Sequence, residues 1–146
     1  MRDRKYKAWL KTEDRYGGHQ FYDVKGWDEE GYVSLYGFGD AKWDDVVILE
    51  SIGVKDSEGS DIYEGDVLHR DSHWLMYVEY VNGSYCLIAV DSVQRMNWTP
   101  IEISSSMISD VRERRVIGNI VSNPEILDTN GNIIYEEEYS YDKELL

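Results

Sequence analysis

A mainly β fold is predicted for this 146-residue chain: a small, bent antiparallel sheet or a partly open barrel, with short helical turns at most. Three observations carry the prediction. Arg4 to Lys11 sets Tyr6, Ala8 and Leu10 against Lys5, Lys7 and Trp9, a period of two. Asn82-Gly83, flanked by apolar runs, has the chemistry of a type I′ hairpin turn, whose central residues both need φ > 0. Twelve Tyr and five Trp enrich the chain in residues that suit a pleated surface.

The elements follow in order. After the first strand, Asp14 to Gly18 is a turn or loop. Phe21 and Tyr22 start a short strand, Lys25 to Gly31 is a charged turn, and Tyr32 to Tyr36 is a strand. Gly37 to Asp40 carries two glycines and is expected to be a loop. Asp44 could cap a short helix, but the β-branched pair Val46 and Val47 favours a strand there. That strand runs on through Ile52 and Val54. Lys55 to Asp61 supplies turn residues, Ile62-Tyr63 is a short strand, Glu64 to Asp66 turns again, and Val67-Leu68 leads off the next strand.

Counting outwards from Asn82-Gly83 fixes a hairpin register within His73 to Val90. Tyr80 faces Tyr85, Val78 faces Leu87 and Met76 faces Ala89 on an apolar, core-facing side. Glu79 with Cys86, Tyr77 with Ile88 and Leu75 with Val90 form a mixed side, expected to be covered only in part. The segment Gly65 to Val90, a Gly-Asp turn followed by strand, hairpin turn and strand, is reminiscent of SH3-like barrels, an analogy of fold alone. Asp91 to Pro100 reads as irregular, with Met96 and Trp98 packing beneath a short helix or loop. Ser104 to Asp110 could begin one helical turn. Arg114 to Ile120 is a strand closed by Ser122-Asn123-Pro124.

Three stretches resemble one known family. They are Ile52 to Leu68, with its Lys-Asp turn and Ile-Tyr-Glu-Gly-Asp; the opening Met1 to Trp9; and Val116 to Leu127, VIGNIVSNPEIL. Together they are similar to the YopX-like family of phage and prophage proteins, over roughly residues 1–127. Ile52 stands where Thr is commoner. The resemblance implies a small, mostly β protein with no established activity. It divides the chain into a β domain, 1–127, and an acidic extension, 128–146. Within the extension Asp128 to Glu136 echoes Asp56 to Glu64, and Asn132 to Glu137 is expected to form an edge strand, with a frayed acidic tail as the alternative.

The net charge of −14 is uneven: +3 over residues 1–15, −10 over 16–66, −1 over 67–122 and −6 over 123–146. Charge of this sign repels a phosphate backbone, so duplex nucleic acid is an unlikely partner. A local basic patch where Arg2, Arg4, Lys5 and Lys7 meet Arg112, Arg114 and Arg115 is conceivable, but these charges more simply balance neighbouring acids. The aromatics Trp74, Tyr77, Tyr80 and Tyr85 of the hairpin could stack single-stranded bases, but their region is near neutral, and core packing and protein contact explain them better. No apolar run approaches the roughly 20 residues of a membrane span, and the chain reads as cytoplasmic in a bacterial host.

Catalytic signals are weak. Asp56, Glu58, Ser60, Asp61 and Glu64 resemble a calcium loop, but its sixth position is Asp61 and its twelfth is Val67, where Gly and Glu are required. His69, His73 and Asp71 are a conceivable but unsupported metal set. Cys86 with His69 can be drawn as a thiol–imidazole pair, though a mid-strand thiol beside aliphatics stays protonated. No catalytic residue, metal site or cofactor is assigned, and the binding residues are not fixed. The expected function is a phage or prophage accessory protein acting as a non-catalytic protein-interaction module, binding a host or phage protein and forming a homo-oligomer. The alternatives are an acidic, nucleic-acid-mimicking decoy and a single-stranded nucleic-acid binder using the basic N-terminal strand.

Overall fold

The structure, a computed structural model, describes residues 5–12, 18–97 and 99–127. The chain forms two compact units, divided between Ser51 and Ile52.

The first unit contains β1 (Tyr6–Leu10), β2 (Phe21–Trp27), β3 (Tyr32–Leu35), β4 (Gly39–Lys42), a 3-10 turn (Trp43–Asp45) and the start of β5 (Val46–Lys55), which runs on into the second unit. The sheet order is β4-β3-β2-β1-β5, antiparallel throughout. Ala8 lies opposite Tyr22 and Ile48, Leu10 opposite Val46, and Val33 opposite Ala41. The period of two in β1 therefore becomes one buried face of Ala8, Leu10, Tyr22, Val33, Leu35, Ala41 and Val46. A register shift between Val24 and Gly26 marks a bulge, the usual device for bending a strand.

Two boundaries differ from the sequence expectation. The charged turn is shorter, because β2 continues through Trp27. The Asp28 carboxylate then accepts the amides of Glu30 and Tyr32 and closes the turn. Gly37 to Asp40 is not a loop throughout: Gly39 already opens β4, which the two glycines concealed. At Trp43 the strand reading holds from Val46 on, but Asp44 lies within a short helical turn and does not cap it. That 3-10 turn forms without a side-chain cap.

The second unit holds β6 (Asp61–Tyr63), which neighbours β5, then β7 (Asp66–His69), β8 (Met76–Val81), β9 (Ser84–Ala89), α1 (Ser92–Asn97), β10 (Ile101–Glu102), α2 (Ile108–Arg112), β11 (Arg115–Asn119) and a closing 3-10 turn (Pro124–Leu127). Its five-stranded sheet runs β10-β9-β8-β7-β11. This order matches that of the first unit: a four-strand meander whose first strand also takes the fifth, with a helical turn before the fifth. Neither sheet is a closed barrel.

The hairpin forms in the expected register, from Val81 opposite Ser84 to Met76 opposite Ala89. Asn82 and Gly83 take φ of 50° and 90°, as a type I′ turn requires. Its mixed side is covered more than expected. Tyr77, Ile88 and Val90 are buried with Val67 and Ile126 in a second cluster, and Cys86 is buried as well. Ile126, from the Asn-Pro-Glu-Ile-Leu close, lies in that cluster; only its fold position, not its spacing, shows this. On the opposite face Met76, Val78, Leu87 and Ala89 pack with Ile62, Leu68 and Val111 of α2.

Met96 is 85% exposed on α1, so it does not pack beneath the segment as expected. Trp98, the expected strand Asn132 to Glu137 and the extension 128–146 lie outside the described residues. Among the described residues, no helix is long and apolar enough to cross a membrane.

Candidate functional site

The Lys-Asp turn, the Ile-Tyr-Glu-Gly-Asp stretch and the Ile-Gly-Asn strand are brought together in the second unit, where they form a structural clasp. One oxygen of the buried Asp56 carboxylate accepts the amides of Glu58 (2.9 Å) and Ser60 (2.8 Å), and the other accepts Val116 of β11 (3.0 Å). Asp66 accepts the Tyr63 amide at 2.8 Å and the Asn119 side-chain amide at 2.9 Å. Asn119 also donates to the Glu64 carbonyl (3.1 Å), and its Oδ1 accepts the Val121 amide (2.8 Å). Gly65 sits between them at φ +87°, and a Cβ there would meet Asn119 Oδ1 at 2.9 Å. Asp56 thus spends its carboxylate on three backbone amides, which is why the stretch that resembles a calcium loop is a turn-closing device.

A second network surrounds Arg114, which is 5% exposed. It donates to Asp110 (2.9 Å) and to the carbonyls of Trp74 (3.0 Å) and Leu68 (3.3 Å). Arg70 pairs with Asp110 at 2.6 Å and with Glu113. Burial pushes the Asp110 carboxyl up, but the hydrogen bonds and charges of Arg114 and Arg70 outweigh it and hold it below the usual Asp range. Arg114 is therefore a core residue, unavailable to the basic patch drawn from the sequence. Arg2 and Arg4 of that patch lie outside the described residues, and Lys7 stands over the Phe21 ring, 4.2 Å from its centroid.

An open cleft of about 350 Å³ in the second unit is lined by Ser57, Glu58, His69, Arg70, Asp71, Glu113 and Arg115. Each arginine there faces a carboxylate, Arg70 as above and Arg115 with Glu58 at 3.9 Å, and His69 Nε2 lies 3.9 Å from Asp71. His73 is exposed beyond a turn, with Nδ1 2.8 Å from the Asp71 carbonyl. Among the described residues, no group of three or more His, Cys, Asp or Glu is placed to hold a metal ion. Cys86 lies 3.8 Å from the Ser84 carbonyl, and burial, with Glu102 and Glu79, pushes its thiol pKa up, the opposite of an activated nucleophile.

The hairpin aromatics do not form one platform. Tyr77 is buried on one face, Tyr80 and Tyr85 pair edge to face at 5.1 Å on the other, and Trp74 lies on the preceding loop. A different cluster stands out, in the first unit. Trp27 at the end of β2 meets Tyr6 of β1 at 5.3 Å and Trp43 of the 3-10 turn at 5.9 Å, with interplanar angles of 81° and 71°. Trp27 is 52% exposed and Trp43 46%. Asp28, Glu29 and Glu30 follow the first ring, and Asp44 and Asp45 the second. The opposite face of this sheet carries the cross-strand pair Trp9–Phe21 (4.9 Å), with His19 stacked on Trp9. The available signal for the cluster was the repeated Trp-acid-acid pattern, WDEE and WDD, but only the fold shows that the two tryptophans touch.

Comparison with known proteins agrees with this architecture. No curated protein matches the chain. Among solved structures, the crystal structure of protein EF1440 from Enterococcus faecalis is similar in fold, with a TM-score of 0.50 and 21% identity over 88% of this chain and 100% of that one. The family described as YopX protein matches residues 3–128, which include the Asp56–Asp66–Asn119 clasp and reach into both units, and the chain belongs to that family.

Proposed function

We propose that this chain is a non-catalytic protein-interaction module, an accessory protein of phage or prophage origin, whose contact surface is the Tyr6–Trp27–Trp43 cluster. The observation that carries the reading is two tryptophans in mutual contact, each about half exposed. Large rings followed in the chain by carboxylates have the composition of interaction hot spots, where aromatic anchors are surrounded by polar groups. The chemistry of the second unit supports the non-catalytic part. Asp56, Asp66 and Arg114 are engaged by backbone groups and by Asn119 and Asp110, Asp110 is held by two arginines, and the cleft arginines face carboxylates. The partner is a host or phage protein, with self-association as a further mode.

Capture from bacterial lysate with the tagged full chain, with and without nuclease, tests the proposal. A protein held regardless of nuclease agrees with it. Partners that vanish with nuclease would replace it with the nucleic-acid reading, and recovery of the chain alone would leave only self-association.

A further inference from the structure

Building on that reading, we infer that the Tyr6–Trp27–Trp43 cluster takes an extended, proline-rich peptide segment carrying basic residues. Three features point to this partner. First, the rings stand at steep angles to one another, so each offers a face beside its neighbour's edge. Proline presents a compact, saturated ring with no amide to desolvate, and a polyproline II segment enters a ring cluster already ordered. Second, the upper limit of the cluster's length exceeds one polyproline turn. Tyr6 and Trp43 are no farther apart than two centroid steps of 5.3 and 5.9 Å laid end to end. Prolines one polyproline turn apart are separated by roughly 9 Å, within that reach. Third, the chain that follows the two tryptophans is acidic. Asp28, Glu29 and Glu30 come directly after Trp27 and Asp44 directly after Trp43, all four are exposed, and the Asp28 carboxylate is already ordered by two amides. Such carboxylates favour Arg or Lys flanking the prolines and disfavour a phosphate chain. Lys42, beside Trp43 in sequence, pairs across the sheet with Tyr32, whereas the neighbouring Ala41 faces the core.

The test uses the full chain labelled with nitrogen-15, whose tryptophans each give an indole N–H signal. The probe is a synthetic peptide of about twelve residues with proline at every third position and flanking arginines. The expected result is saturable movement of the Trp27 and Trp43 signals, with those of Trp9 and Trp74 unmoved. Trp27→Ala and Trp43→Ala should each weaken binding at least about tenfold. A charge-matched peptide with alanine for proline should bind at least about tenfold more weakly. Because the mapping uses the wild-type chain, a misfolded variant leaves it intact. Equal binding of the alanine peptide, movement centred on Trp9 or Trp74, or no binding would each overturn the inference. So would preferential binding of an oligothymidylate. If the peptide fails while lysate capture still depends on Trp27, the interaction module stands and only this partner class falls.

Discussion

Replacing Gly65 with alanine, with and without a second change at Asn119, separates the clasp from simple packing. Gly65 holds φ +87°, and an added Cβ would lie 2.9 Å from Oδ1 and 3.0 Å from Nδ2 of Asn119. A flexible side chain could yield, but Asn119 is buried and pinned by three hydrogen bonds. Gly65→Ala should therefore cost roughly 1–2 kcal/mol for the left-handed backbone and a further 1–3 kcal/mol or so for overpacking. Asn119→Ala should cost roughly 3–5 kcal/mol, because it strips partners from the Val121 amide, the Glu64 carbonyl and Asp66. In the double variant the clash has no second partner. The overpacking cost should then disappear, leaving the pair about 1–3 kcal/mol less destabilised than the sum of the singles. Urea unfolding followed by circular dichroism measures all three. Strict additivity, or a neutral Gly65→Ala, would refute the reasoning.

Two further outcomes follow from the same geometry. Val78→Asp places an unpaired carboxylate in the cluster with Leu68, Leu87 and Val111, and should cost more than about 4 kcal/mol, whereas Glu79→Gln on an exposed position of the same strand should be silent; matching thermal melts would contradict this. Asp110 has a folded pKa below its ordinary value, so its stabilisation is complete above the usual Asp range and is lost as pH falls through the folded value. Asp110→Asn should therefore melt well below wild type at neutral pH, with the gap closing in acid; a gap independent of pH would sink the assignment.

What the sequence disclosed follows from the range of each signal. Asn82-Gly83 fixes a register because turn chemistry and alternation act over a few residues, and every pair from Val81–Ser84 to Met76–Ala89 formed as counted. The glycines at 37 and 39 misled for the same reason: a local turn signal hid the strand that starts at Gly39. The cover over Tyr77 and Ile88 comes in part from Ile126, far along the chain, and no periodicity reports that. No local signal marks Asp56 and Asn119 as buried; the pairing of β11 with β7 brings Val116 to Asp56 and Asn119 to Asp66. The candidate site was the least legible part. Trp27 and Trp43 are 16 residues apart in sequence, and only the β2–β3–β4 meander and the 3-10 turn set their rings in contact.

The most direct test of the proposed interaction surface compares lysate capture by wild type, Trp27→Ala and Trp74→Ala, all nuclease-treated and all checked for an unchanged melt. Trp27 and Trp74 are similarly exposed, but Trp27 belongs to the ring cluster and Trp74 to a loop of the second unit. The account predicts that Trp74→Ala retains the captured protein and Trp27→Ala loses it. Retention by Trp27→Ala, or loss confined to Trp74→Ala, would contradict it.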